Sequence, residues 1–359
     1  MAFLVGLPLL VLLTAAIASA TEHSDLLRSL LRFFRYLVLA EFLFVLAMAA
    51  VGAFYESRSL ARDQRLYPPP GRLIDLGGYR LHLYCTGEGS PTVVLDYGLV
   101  GSFLEWHRVQ PEIARFTRVC SYDRGGYGWS DASPHPRTPQ VMAEELHLLL
   151  EKAGVTPPFI LMGHSMGGFD VLMYRQLYPK EVAGLVLLDA THPDDSIPFQ
   201  WRDKLQLRFL QFTAPFGLSR WRGWCSQGPE EIRHQMLAFS CLPRVFSTNY
   251  RQWSTFEESA RQVRALPALG DLPLLVISRD PGRRPDSPRD RVIPEVEQHL
   301  LNRQKQLAQL SSDSRFVIAT GSGHGIAQQR PELVVEELRR LVEDIRGTRS
   351  TQQVHLPHG

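Results

Sequence analysis

Ser165 stands in Gly163-His164-Ser165-Met166-Gly167, and His324 stands in Gly321-Ser322-Gly323-His324-Gly325. A serine hydroxyl ionises far above neutral pH, so as a nucleophile it needs a neighbouring base, which can come from a distant part of the chain. A bare G-x-S-x-G arises by chance in about one chain in ten of this length. Its setting here is more specific. The pentapeptide falls between an apolar run that reads as a strand and a segment that reads as a helix. A sharp turn at that point strains the serine backbone and exposes its hydroxyl. His324 follows the last predicted strand and precedes the last predicted helix, which brings it to the same end of a sheet. The expected chemistry is nucleophilic attack by Ser165, with His324 as general base. His82, His107, His147, His234 and His299 read instead as core or surface histidines.

The positioning elements are read from periodicity. Residues 72–76 and 79–85 form two short strands joined across Gly77-Gly78, a tight-turn signal. Apolar or β-branched runs at 92–96, 118–122, 159–163, 184–188, 274–278 and 315–319 suit strands covered on both faces. Helices are expected from Thr138-Pro139, with Thr138 as cap, over 166–178, over 294–310, and from Pro331 to about residue 345. The alternation predicts an α/β fold with a mainly parallel eight-stranded sheet, helices on both faces and an antiparallel hairpin at its start. Roughly eighty residues separate the strands ending near 189 and starting near 274, far more than an ordinary connection. They are expected to form a helical cap.

In 359 residues, 44% are apolar and 21% charged, enough for a large core and unlike a disordered chain. Lys and Arg total 39 against 37 Asp and Glu, so the net charge of +2 gives no field that would select nucleic acid. Cys85, Cys120, Cys225 and Cys241 lack the paired spacing of a zinc or redox motif, and neither a metal nor a cofactor is expected.

The chain resembles the α/β-hydrolase superfamily over about 72–346. The resemblance rests on Gly163-His164-Ser165-Met166-Gly167-Gly168, on Ser121-Tyr122-Asp123-Arg124-Gly125-Gly126-Tyr127-Gly128-Trp129-Ser130, and on Ser322-Gly323-His324 followed by Arg330-Pro331-Glu332. It is most similar to membrane-anchored bacterial members of esterase or peptidase type. The resemblance implies an oxyanion hole from the N–H groups of Met166 and Leu99, with Tyr97 where the family often has His. For the acid that orients His324 it offers two places, Asp189 at the end of one strand and Asp280 after the next, with Asp189 preferred. The family's strand order sets Cys85 near Cys120, and Cys225 and Cys241 share the cap, which implies those two disulfides and an oxidising compartment.

Two apolar runs precede this domain. Residues 3–20 read as a signal or a first helix, and 36–55, broken by Glu41, as a membrane span of sufficient length. Arg28, Arg32 and Arg35 between them favour a cytoplasmic loop and an extracytoplasmic hydrolase domain, although Arg58, Arg62 and Arg65 balance the far flank. The expected organisation is a membrane region at 1–56, an extended Pro-rich linker at 57–71, a core at 72–191 and 272–346, the cap at 192–271 and a frayed tail at 347–359.

Cap aromatics Phe199, Trp201, Phe209, Phe212, Phe216, Trp221, Trp224, Phe239, Phe246, Trp253 and Phe256 are expected mostly to pack the cap onto the core, with a few walling an apolar pocket. Arg202, Arg208, Arg220 and Arg222 are expected to be solvated. The predicted activity is cleavage of a small apolar or amphipathic ester or related acyl substrate through an acyl-serine. The competing readings are a proline-iminopeptidase-like aminopeptidase, which needs an acidic cap residue, and a membrane-tethered small-molecule binder.

Overall fold

The computed structural model describes residues 25–195, 200–225, 228–283 and 293–354. It begins with one helix, α1 (Asp25–Leu66). Strands β1 (Arg72–Asp75), β2 (Arg80–Thr86), β3 (Thr92–Asp96) and β4 (Val119–Tyr122) follow, then α2 (Pro139–Ala153), β5 (Phe159–His164), α3 (Gly167–Leu177) and β6 (Val182–Leu188). The cap carries α4 (Trp201–Thr213), α5 (Arg233–Ser240), α6 (Pro243–Ser254) and α7 (Phe256–Arg264). The chain then returns through β7 (Leu274–Arg279), α8 (Pro294–Ala308), β8 (Ser314–Ala319) and α9 (Pro331–Val354), with shorter helical turns between these elements.

The eight strands form one sheet in the order β1-β2-β4-β3-β5-β6-β7-β8. The pairs β1/β2 and β2/β4 are antiparallel and the rest parallel. The apolar runs have a simple cause: alternate side chains enter two different cores. Val94 of β3 and Leu161 of β5 join α2 and α3 on one face, whereas Val93, Leu95, Ile160 and Met162 join Val334, Leu338 and Val342 of α9 on the other. Every parallel strand therefore points its C-terminal end at the same edge, where the long loops gather.

Several expectations are corrected. The expected span at 36–55 is the middle of a longer helix, and Arg28, Arg32 and Arg35 lie in the first turns of α1 rather than in a loop. The expected extended linker is helical as far as Leu66, because Glu56 and Asp63 are tied to the cap by Arg220. Arg220 is thus a paired, largely buried residue and not a solvated one. Thr138 occupies the cap position of α2, but its side chain makes no capping hydrogen bond; Pro139 at the first turn and left-handed Gly154 (φ +70°) at the end delimit that helix. The last helix continues through Val354 where a frayed tail was expected. The first apolar run, 3–20, and Phe199 lie outside the described residues.

Cys85 pairs with Cys120 and Cys225 with Cys241 at disulfide distance. The first pair lies directly opposite across β2 and β4, with Cα atoms 4.0 Å apart.

Candidate active site

Ser165 occupies the turn between β5 and α3 with φ +53°, a conformation that costs a non-glycine residue about 1–3 kcal/mol. The flanking glycines are demanded by close approach. A Cβ at Gly163 would lie 2.4 Å from the Gly167 carbonyl oxygen, and one at Gly167 would lie 2.6 Å from that of Asp96. The Ser165 N–H donates to the Leu188 carbonyl (3.1 Å), and the Ser165 carbonyl accepts from Thr191 N–H (3.0 Å), so the turn is pinned to the end of β6. The side chain is half-buried.

The turn after β3 leans on this serine. A Cβ at Gly98 would come within 2.9 Å of Ser165 Cβ and 3.3 Å of its Oγ. Among the described residues, the N–H groups of Met166 and Leu99 donate to no other group. The Gly98 carbonyl accepts from Arg124, whose guanidinium also donates to Asp170 (3.0 Å) and lies 3.7 Å from Asp96. Gly98 C=O and Leu99 N–H belong to one trans peptide unit and point in opposite directions. Arg124, from the sequence motif after β4, therefore fixes the orientation of the Leu99 donor. Burial raises both the Asp96 and the Asp170 carboxyls, against the pull of Arg124.

His324 lies in the turn after β8. Its Nδ1 is 2.5 Å from Asp189 Oδ2. Asp189 follows β6 in a left-handed conformation (φ +42°), anchored by its own N–H to the Ile277 carbonyl (2.7 Å). The carboxylate also accepts from Arg279 N–H (3.2 Å) and Arg279 Nε (2.7 Å). Burial pushes the Asp189 carboxyl up, but the His324 hydrogen bond and the Arg279 charge outweigh it and hold the group at about 2. Arg279 Nη2 is 3.0 Å from His324 Nδ1. The shorter contact is to the carboxylate, so the Nδ1 proton is placed on that contact, which leaves the Nε2 lone pair facing away from Asp189.

Asp280 does different work. It accepts from Gly282 N–H (2.8 Å) and Gly321 N–H (2.7 Å), and its own N–H donates to the Ser322 carbonyl (2.9 Å). It fastens the loop after β7 to the loop that carries His324.

Two residues beside the site were not singled out from sequence. Arg279 is one; it closes β7 opposite Ala319 of β8, and only the register Leu188↔Ile277 brings it to Asp189. His164 is the other. Burial pulls its pKa down to about 3, so it is neutral; its Nε2 donates to the His324 carbonyl (2.9 Å), and its ring lies between those of Tyr97 and His324, 4.5 Å from each. Among the described residues the Ser165 hydroxyl makes no hydrogen bond to His324; His164 links the two. Such bonds are often long without substrate and tighten on binding. Tyr97, where the family often has His, lies against His164 with the two rings tilted by 36°, and its hydroxyl accepts from Gln328 (3.2 Å).

The cap departs from expectation. Phe239, Phe246 and Phe256 are buried, but Trp201, Phe209, Phe212, Phe216, Trp221 and Trp224 are exposed. Among the described residues no group of three or more His, Cys, Asp or Glu could hold a metal ion.

Residues 91–277 match the family model described as alpha/beta hydrolase fold. The chain is 24% identical over 245 residues to the uncharacterized protein YbdG of Bacillus subtilis, covering 64% of this chain and 75% of that one. It is 28% identical over 291 residues to an AB hydrolase superfamily protein of Gibberella zeae, covering 73% and 89%. A thermophilic esterase from Thermogutta terrifontis superposes with a TM-score of 0.57 at 22% identity, covering 76% of this chain and 97% of the esterase, a likeness of fold. With the family model matching more than half of its length, the chain belongs to the alpha/beta hydrolase fold family.

Proposed function

We propose that the protein is a membrane-tethered serine hydrolase that cleaves a small apolar or amphipathic ester, or a related acyl substrate, through an acyl-serine intermediate. The observation that carries this reading is the strained Ser165 turn, with the Gly98 turn packed against it, at the same sheet edge as the His324–Asp189 pair. Ser165 Oγ attacks the acyl carbon while His324 Nε2 takes its proton. Asp189 holds the imidazole tautomer and stabilises the imidazolium. The carbonyl oxygen becomes an oxyanion that accepts from the N–H groups of Met166 and Leu99. The acyl carbon–leaving group bond then breaks, and His324 returns the proton to the departing alkoxide. Water, deprotonated by the same imidazole, cleaves the acyl-serine and restores Ser165.

Acidic cap residues supply a reason to prefer an ester to a peptide with a free amino terminus. Glu231 pairs with Arg108 and Glu258 with Arg261, while Asp203 accepts from the Gln200 N–H at the start of α4. These engaged carboxylates leave an ammonium less to bind. The two cysteine pairs suit an oxidising compartment, so we assign the hydrolase domain to the extracytoplasmic side.

A fluorophosphonate probe on the full chain tests the reading. Wild type is expected to label covalently and Ser165→Ala not at all. A folded wild-type protein that stays unlabelled at Ser165 sinks it.

A further inference from the structure

From the exposed face of α4 and the turn that follows, we infer a second membrane contact: this part of the cap lies in the headgroup and acyl boundary of the bilayer crossed by α1. No residue of α4 is buried. Trp201, Leu205, Phe209 and Phe212 recur at spacings of three and four, so they share one face, and Phe216 extends it by one turn. Trp201 is 69% and Phe212 66% exposed. This is not the face that packs the cap. Leu207 and Leu210, on the opposite side of the helix, are the half-buried apolar positions, while Arg208, at the edge of the row, lies over Tyr250 of α6 at 4.1 Å. A row of aromatics left in water on the side away from the protein marks an interaction surface.

The occupant follows from what adjoins the row. α1 offers about 30 Å of apolar helix between Tyr36 and Tyr55, the thickness of a hydrocarbon core, and its most apolar stretch is unburied. The turn at Phe216-Gly217 is pressed against the end of that stretch. A Cβ at Gly52 would lie 2.3 Å from the Phe216 carbonyl oxygen, and one at Gly217 would lie 2.8 Å from Tyr55 Cδ1. Phe216 therefore sits level with Gly52, one turn inside the point where Glu56 ends the apolar run. A bilayer that covers the exposed Val51 and Phe54 of α1 reaches Phe216 and, through it, the row on α4.

The rim has the matching chemistry. Arg202 lies over Trp201 and Arg222 over Trp221, each at 5.5 Å, and Arg58 lies over Phe54 at 5.6 Å. Aromatic rings backed by guanidinium groups suit the boundary of an anionic leaflet, where the ring enters the acyl region and the cation stays with the phosphates.

The inference rests on α1 being a span, which resistance of the full chain to alkaline extraction from membranes tests separately. It does not depend on Ser165 chemistry. The experiment is tryptophan quenching on the full chain in vesicles of phosphatidylcholine and phosphatidylglycerol, with and without dibrominated acyl chains. Wild-type emission is expected to be quenched by the brominated lipid, and W201F/W221F/W224F is expected to lose most of that quenching. A thermal midpoint of the variant close to that of wild type shows that its fold is intact. Wild-type quenching that is absent, or that survives undiminished in the variant, overturns the inference. So does a chemical cross-link between copies through α4 with no lipid quenching, which would assign the face to a second copy of the chain.

Discussion

Asp189 accepts hydrogen bonds from His324 Nδ1, Arg279 Nε and Arg279 N–H, and this crowding of donors separates it from Asp280. Asp189→Asn would keep the shape but remove the negative charge that faces the imidazolium. We expect kcat to fall by about 10⁴-fold, the scale seen when a triad carboxylate is lost, and Asp280→Asn to stay within about tenfold of wild type. Ester turnover by the two variants distinguishes the roles; equal losses would remove the distinction. The acid side of the stability profile gives a second check. The folded carboxyl at about 2 lies below its unfolded value of 3.8, so ionised Asp189 favours the folded state. The contribution, about 2 kcal/mol, is fully present above the unfolded value and disappears as pH falls through 4 towards 2. The thermal midpoint of wild type should therefore exceed that of Asp189→Asn by a constant margin above about pH 5, and the margin should close in acid. The turns that carry Ser165 and His324 were legible because their glycines give a local signal. Arg279 carries none, since its partner is fixed by the register of two strands about ninety residues apart in sequence.

The turn after β3 shows how one element serves another. Arg124 holds the Gly98 carbonyl and is itself held by Asp170 of α3, so the Leu99 N–H is aimed by a side chain from the loop after β4. Arg124→Met would free that peptide and leave Asp96 and Asp170 buried without their cation. The expected loss is about 10²–10³-fold in kcat, the scale of one oxyanion donor, together with about 3–5 kcal/mol of stability. Arg124→Lys separates the two effects. The ammonium restores charge and most of the thermal midpoint, but without a planar fork it does not restore the peptide's orientation, so kcat stays low while KM changes little. A Lys variant that recovers both would make Arg124 a stability residue alone. The central strands β3, β5, β6 and β7 were plain in the sequence because both faces of the sheet are covered there, which writes each of them as a mainly apolar run. The helix ends were less plain: Thr138 has a capping residue's chemistry without the capping bond, and proline at the first turn delimits α2 instead.

At the scale of the whole molecule, the sequence showed a long apolar N-terminal run, an α/β core and a long helical insertion between two of its strands, but not how they join. An apolar run looks the same whether its helix stops at a linker or continues, and what continues α1 to Leu66 is a contact more than 150 residues away. Arg220, from the cap, donates to Glu56 Oε2 (3.0 Å) and Asp63 Oδ2 (2.7 Å), one on each side of two helical turns, and all three side chains are at most 10% exposed. This clamp makes α1 and the cap a single unit, so the cap's attitude is set by the helix and not by a flexible tether. Arg220→Ala should leave buried Glu56 without its cation and Asp63 with only the exposed Arg62 (3.2 Å), and cost about 3 kcal/mol. Raised amide exchange should be confined to the last turns of α1 and to 214–221. Replacing all three, in Glu56→Gln/Asp63→Leu/Arg220→Met, removes the uncompensated charges and should recover much of the thermal midpoint, because a buried ion pair is worth little more than well-packed apolar groups of similar volume. If Arg220→Ala melted and exchanged like wild type, the clamp would contribute nothing and the cap would be free to turn on its anchor.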